Sequence, residues 1–283
     1  MPRGGGAGKA PVPETGTVER PAATPVPPLS GASVVNTRAS GSGDGLARLL
    51  RRRGVDTLVS LPGQRLQAVA DAISARKALR AAARGDGLVF VSPAAVRHAW
   101  RLLPQWRLPR RLLVGAVGDA TAAALRRRGV AAIVRPHGSQ DSEGLLAEAA
   151  LRGVRGQAWA VIGAAGGRDL LPTALRRRGA RVATVEVYRR APPRWTRLHY
   201  ARLETAPRPL LIVVSSAQSL ARIATMLPAG LVLAFRAGEL VVSSERLAGL
   251  AREHGFTRIH VAESALAADL ANACERALVR HRL

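Results

Sequence analysis

Residues 87–104, GLVFVSPAAVRHAWRLLP, and residues 210–228, LLIVVSSAQSLARIATMLP, read as one unit written twice. Each opens on a short apolar run, passes through Ser and a small residue, and continues into an apolar-faced helix that stops at Leu-Pro. Unbroken apolar runs of this length are the mark of parallel strands buried on both faces. Two further kinds of unit also occur twice. Residues 112–134 (LLVGAVGDATAAALRRRGVAAIV) stand beside 240–261 (LVVSSERLAGLAREHGFTRIHV). Residues 33–62 (SVVNTRASGSGDGLARLLRRRGVDTLVSLP) stand beside 160–188 (AVIGAAGGRDLLPTALRRRGARVATVEVY). Their helices end at Arg-Arg-Arg-Gly or His-Gly, with Gly placed as the residue that closes a helix. Alternating strand and helix implies parallel sheets with crossover helices.

The order of the units sets the architecture. A unit of the last kind opens the chain at Ser33, a complete set of three follows, and one unit each of the first two kinds closes it. Two equal lobes form only if the opening unit joins the last two. The expected fold is therefore α/β, with two similar lobes built on parallel sheets and the second lobe inserted into the first. One lobe takes 31–62 plus 192–283, the other takes 63–190, and two adjacent linkers form a two-stranded hinge. Residues 1–30 are rich in Pro, Gly, Ala and Thr without apolar period, and read as a disordered tail.

Composition narrows the function. With 283 residues, two domains are natural. The single cysteine, Cys274, permits neither a disulfide nor a cysteine metal site, which fits a reducing compartment. The net charge of +24 is almost all arginine, the only lysines being Lys9 and Lys77. Arg runs at 51–53, 126–128 and 176–178 fall at helix ends, where cations complement the dipole. Scattered Arg with only nine aromatics is a poor nucleic-acid surface. No apolar run of membrane-spanning length is present, and no secretory leader is legible. A cytoplasmic protein without nucleic-acid or membrane partners is expected.

In open parallel sheets, ligands sit beyond the carboxyl ends of the strands, so the cleft between the lobes is the expected site. The turns that should line it are small and polar. They contain Thr37 and Arg38, Ser92 and Ala94, Gly118 and Thr121, Gly166 to Arg168 through Gly167, Ser215 and Ser216, and Ser243 and Ser244. Ser142 and Gly144 open another helix, with Ser142 or Asp141 as its cap. Small turns at helix starts let backbone N–H groups approach an anion. The same residues are equally the ordinary material of caps and turns. Residues 163–168 match neither a dinucleotide fingerprint nor a phosphate-binding P-loop. No nucleophile elbow, carboxylate pair or histidine metal spacing is present.

The ordered set of short motifs resembles the uroporphyrinogen-III synthase family over residues 33–278. It comprises Thr37-Arg38; Phe90, Ser92, Ala95 and Val96; Val117-Gly118, Thr121 and Ala122; Pro136; and Ser142 through Leu146. It continues with Gly166 through Pro172, Arg178-Gly179-Ala180, Glu186 through Arg190, Ser215-Ser216 and Ser243 through Ala248. The resemblance implies a cofactor-free, monomeric cyclase acting on hydroxymethylbilane, a linear tetrapyrrole with two carboxylate side chains per ring. Such an enzyme removes the terminal hydroxyl as water and closes the ring with inversion of ring D. Tyr188 matches the family's suspected proton donor, and the alternative for it is a packing role at the hinge. The synthase that supplies hydroxymethylbilane is a candidate partner. The chain departs from the family at Ala39, where Pro is usual, at the Ser40–Gly43 stretch that follows, and at Ser243 and Ser244. The alternative function is a non-catalytic ligand-binding or regulatory protein of the same two-lobed fold.

Overall fold

The computed structural model describes residues 27–39, 45–137 and 141–282. Ten strands carry the architecture: β1 (Ser33–Asn36), β2 (Thr57–Ser60), β3 (Arg65–Ala68), β4 (Gly87–Phe90), β5 (Leu113–Ala116), β6 (Ala158–Ala164), β7 (Arg181–Ala191), β8 (Leu210–Val214), β9 (Glu239–Val242) and β10 (Ile259–Val261). They form two five-stranded sheets. One has the order β10-β9-β8-β1-β2 and draws its strands from both ends of the chain. The other has the order β3-β7-β6-β4-β5 and is built from the middle.

The strand orders superpose unit by unit. β9, β8, β1 and β2 occupy the places of β5, β4, β6 and β7. Even the outermost position has its counterpart, because a parallel bridge between Gly115 and Val134 stands where β10 lies in the first sheet. Central strands β1, β4 and β8 are buried at every position, as a sheet covered by helices on both faces requires. Each sheet has one apolar cluster on either face. Phe90 and Leu125 sit on one side of the second sheet, Val89 and Leu175 on the other. Ile212 and Phe235 sit on one side of the first sheet, Val213 and Cys274 on the other. Burial pushes the Cys274 thiol up to about 12, so it stays protonated and inert. Gly129 and Gly179 close their Arg-rich helices with φ of 81° and 87°, a region only glycine enters freely.

Two features differ from the sequence reading. The second sheet is not wholly parallel, because β3 runs antiparallel to β7, pairing Arg65 with Ala191 and Ala68 with Tyr188. With only four residues and no unbroken apolar run, β3 lacked the signal of a buried strand. Leu29, assigned to the tail, is fully buried against Val34 and Leu50, and its N–H donates to the Arg53 carbonyl. The rest of that tail, residues 1–26, and the departure at Ser40–Gly43 lie outside the described residues.

The two passages between the sheets are tied together. Trp195 Nε1 donates to the Pro62 carbonyl at 3.0 Å, and Arg65 Nε donates to the Pro192 carbonyl at 3.1 Å. Gly63 is pressed against Ser219, so that a Cβ there would lie 2.4 Å from the serine side chain. Arg222, one turn further along the helix Ala217–Met226, donates to the Gly63 carbonyl at 2.9 Å.

The C-terminal helix Ala267–Arg282 is held at its far end by buried Glu239, whose carboxylate bonds His260 Nε2 at 2.7 Å and His281 Nδ1 at 3.0 Å. Burial alone would raise this carboxyl. The hydrogen bonds of His260 and His281, with the nearby Arg258 charge, outweigh it and hold the group below the ordinary glutamate range. A depressed carboxyl binds fewer protons in the folded chain than in the unfolded one. Its stabilisation is present at neutral pH and lost as pH falls through the folded value. Urea unfolding should therefore show Glu239→Gln losing less stability than wild type between about pH 5 and about pH 3. Equal losses would show that the carboxylate contributes nothing.

Candidate active site

At the carboxyl edge of the second sheet, β7 carries a bulge that decides where a phenol points. β6 and β7 pair in constant register from Ala158–Arg181 to Gly163–Glu186, and then Ala164 pairs with Tyr188. Val187 is thus the extra residue. Val185 and Val187 face one apolar cluster by strand alternation, and the inserted residue turns Tyr188 to that same face. Without it Tyr188 would point to the opposite side of the sheet.

Tyr188 is only 3% exposed. Its hydroxyl lies 3.2 Å from Ser92 Oγ, with either as donor, and its ring stacks on His98 at 5.2 Å between centroids. Ser92 is the N-cap of the helix Pro93–Leu102, accepting the Ala95 N–H at 3.1 Å. Because that bond uses Ser92 only as acceptor, its own hydrogen is available for the phenol oxygen. Burial first, then the charges of Arg101 and Arg97, lower the His98 pKa, so the ring against Tyr188 is a neutral imidazole. Burial and Arg101 likewise lower Arg97, and the Tyr188 phenol opposes them. His98 carried no functional signal in the sequence. It reads as one polar residue on an apolar helix face.

The other turns divide by what their polar groups already do. Thr37 is buried, and both its N–H and its hydroxyl donate to the Val213 carbonyl, so it joins β1 to β8. Ala94 and Thr121 are buried as well and shape their turns from within. Arg38 reaches across to the Ala265 carbonyl at 3.0 Å. Ser216 caps its helix by accepting the Ser219 N–H and donates to Ser219 Oγ. Ser244 caps the helix Glu245–Glu253 through the Leu247 N–H. Asp141, not Ser142, is the cap of the helix Ser142–Ala147, and it occupies the Gly144 N–H at 2.8 Å. Gly118 starts the helix Asp119–Arg126 with no side-chain cap. Ser215 and Ser243 are half-buried beside their capping neighbours. Gly166 is left-handed, with its N–H turned to Glu186 Oε1 at 3.3 Å; Gly167 and Arg168 are exposed. A cavity of about 500 Å³ opens beside this turn, lined by Asp71, Ser74, Ala165, Glu186 and Arg189 among others.

By strand position, Arg38, Ser215, Ser216, Ser243 and Ser244 fall at the carboxyl edge of the first sheet, and Ser92, Gly118, Gly166 to Arg168 and Tyr188 at that of the second. The uroporphyrinogen-III synthase HemD family model matches residues 44–272. The chain belongs to the uroporphyrinogen-III synthase family. It is 32% identical over 249 residues to the uroporphyrinogen-III synthase of Escherichia coli (strain K12), which covers 82% of this chain and 96% of that protein. The counterpart from Salmonella typhimurium (strain LT2) is 32% identical over 252 residues, with the same coverage. Among solved structures, uroporphyrinogen-III synthetase from Helicobacter pylori 26695 aligns with a TM-score of 0.56 at 12% identity, covering 89% of this chain and 100% of that one. A mutant uroporphyrinogen III synthase from the extremely thermophilic bacterium Thermus thermophilus aligns at 0.53 and 23% identity, covering 88% and 99%. At those identities the structures establish the family's two-lobed fold for this chain.

Ser92→Ala should remove both the helix cap and the contact with Tyr188. A loss of about 1–2 kcal/mol is expected in urea unfolding. An unchanged midpoint would show that neither bond stabilises this edge.

Proposed function

We propose that this chain is a uroporphyrinogen-III synthase, closing hydroxymethylbilane to uroporphyrinogen III with loss of water and inversion of ring D. The observation that carries the reading is the 32% identity sustained over 249 residues, nearly the whole length of the E. coli enzyme. The architecture agrees with such a task. Ring closure needs a flexible chain of four rings held in one shape, which is work for many positioning contacts. Two sheets that present small polar turns at their carboxyl edges offer such contacts. The net charge of +24 draws a polycarboxylate toward them.

On this reading the substrate lies between the two turn edges. Its carboxylates meet exposed guanidinium groups such as Arg168 and backbone N–H groups at helix starts, among them that of Gly118. Tyr188 donates the proton that lets the terminal hydroxyl leave as water. Ser92 supports it by donating to the phenol oxygen, which frees the phenol hydrogen for the departing group. The proton lost on ring closure restores the phenol, so no cofactor is required by the balance. The paired passages would let the lobes approach each other around the substrate. The protein is read as a monomer, and the enzyme that makes hydroxymethylbilane as its functional neighbour.

The test couples the chain to hydroxymethylbilane synthase, then oxidises and separates the uroporphyrins. An excess of the type III isomer is expected, and type I alone would sink the assignment. In the same assay Tyr188→Phe should lower kcat about a hundredfold with little change in KM. Full turnover by that variant would leave Tyr188 a packing residue only.

A further inference from the structure

A large groove lies at the other end of the second sheet, away from the turns. It has a volume of about 1210 Å³ and is formed by the approach to β5 and by the segment that follows the helix Asp119–Arg126. Its floor is apolar, with Leu108, Val130 and half-buried Trp106. Trp106 belongs to a packed ring cluster, 5.1 Å from Trp100 and 6.4 Å from Phe90. Four exposed arginines, Arg107, Arg110, Arg127 and Arg128, stand on its rim. Among the described residues, no carboxylate lines it. Among the described residues, none of the four guanidinium groups makes a side-chain hydrogen bond or an ion pair.

We propose that this groove docks an acidic segment of a partner protein, with carboxylates on the four arginines and aliphatic side chains over the Trp106–Leu108 floor. Charge complementarity selects the occupant's sign. Arg pairs with carboxylates in a planar, two-pronged geometry that lysine lacks, and Trp and Arg are the residues that most often anchor interfaces. The floor selects protein over nucleic acid. Single-stranded nucleic acids need open aromatic faces for stacking, whereas Trp106 is engaged by two other rings and its neighbours are aliphatic. The groove plays no part in the cyclase reading and stands independently of it.

The protein's overall charge makes a matched control essential. A fluorescein-labelled peptide of alternating glutamate and leucine is titrated into the full chain at roughly 0.15 M salt, where long-range attraction is screened. Binding is read as anisotropy. Arg107→Glu/Arg127→Glu reverses two charges on the rim. Arg51→Glu/Arg52→Glu reverses two exposed charges at the end of the helix Gly45–Arg52, outside the groove. Both variants alter the net charge equally, and all four positions are exposed, so the cores are untouched. The groove variant is expected to weaken peptide binding about tenfold or more, and the helix-end variant less than about threefold. Equal weakening in the two variants would overturn the proposal, as would absence of peptide binding. So would a single-stranded oligonucleotide whose binding is abolished by the groove variant while that of the peptide is unchanged.

Discussion

A chain that leaves one folded lobe to build another must come back to where it left. That closure is the constraint on which this molecule rests. Here it is met by pairing the outward and returning passages along β3 and β7 and locking them by reciprocal bonds, Trp195 to Pro62 and Arg65 to Pro192. Gly63 allows the outward passage to lie directly on Ser219, where any Cβ would collide. The antiparallel strand is therefore a consequence of insertion. A sheet whose crossovers are otherwise all parallel acquires one reversed strand because two passages in opposite directions share one route.

The same closure brings the bulge of β7 to the carboxyl edge. β7 is the longest strand, and its last residues both finish the sheet and begin the return. The extra residue at Val187 lets one strand serve both ends. It keeps Val185 and Val187 in the core and turns Tyr188 toward Ser92. At the carboxyl edges of the two sheets, several polar side chains of the turns are already engaged in holding helix starts. Ser92, Ser216, Ser244 and Asp141 each accept a backbone N–H. A ligand at either edge would meet hydroxyl groups pre-oriented by those caps, with few groups to reorganise on binding.

The fold was legible because strand and helix signals were local and repeated. Apolar runs such as 210–214 and closing glycines such as Gly129 carry their own meaning. The partition of the chain into two sheets followed from counting units. The features without a sequence signal depend on contacts between residues distant in the chain. β3 has no apolar signature and exists because β7 is beside it. The Val187 bulge is a matter of register and is invisible in an apolar-rich strand. His98 and Ser92 are close together in sequence, but their common neighbour Tyr188 is some ninety residues away. Thr37 shows the opposite limit: the motif located it at the strand end, and only the structure revealed its hydroxyl bonded inward to Val213. A residue's position along an edge can be read from sequence, but the direction its side chain faces there depends on packing.

The matched strand orders have one more implication. Along the chain the units at Ser33, 87 and 112 are followed, in the same order, by those at Ala160, 210 and 240. Taken linearly, that is a tandem duplication with its seam before β6. The sheets do not respect the seam: each takes one unit from one half and two from the other. The folded molecule thus has the connectivity of a swapped dimer whose two copies are joined in one chain. Severing the chain near that seam would cut through the second sheet instead of separating the lobes. Neither half of the chain makes an autonomous lobe, and the smallest unit able to close both sheets is the whole tandem pair.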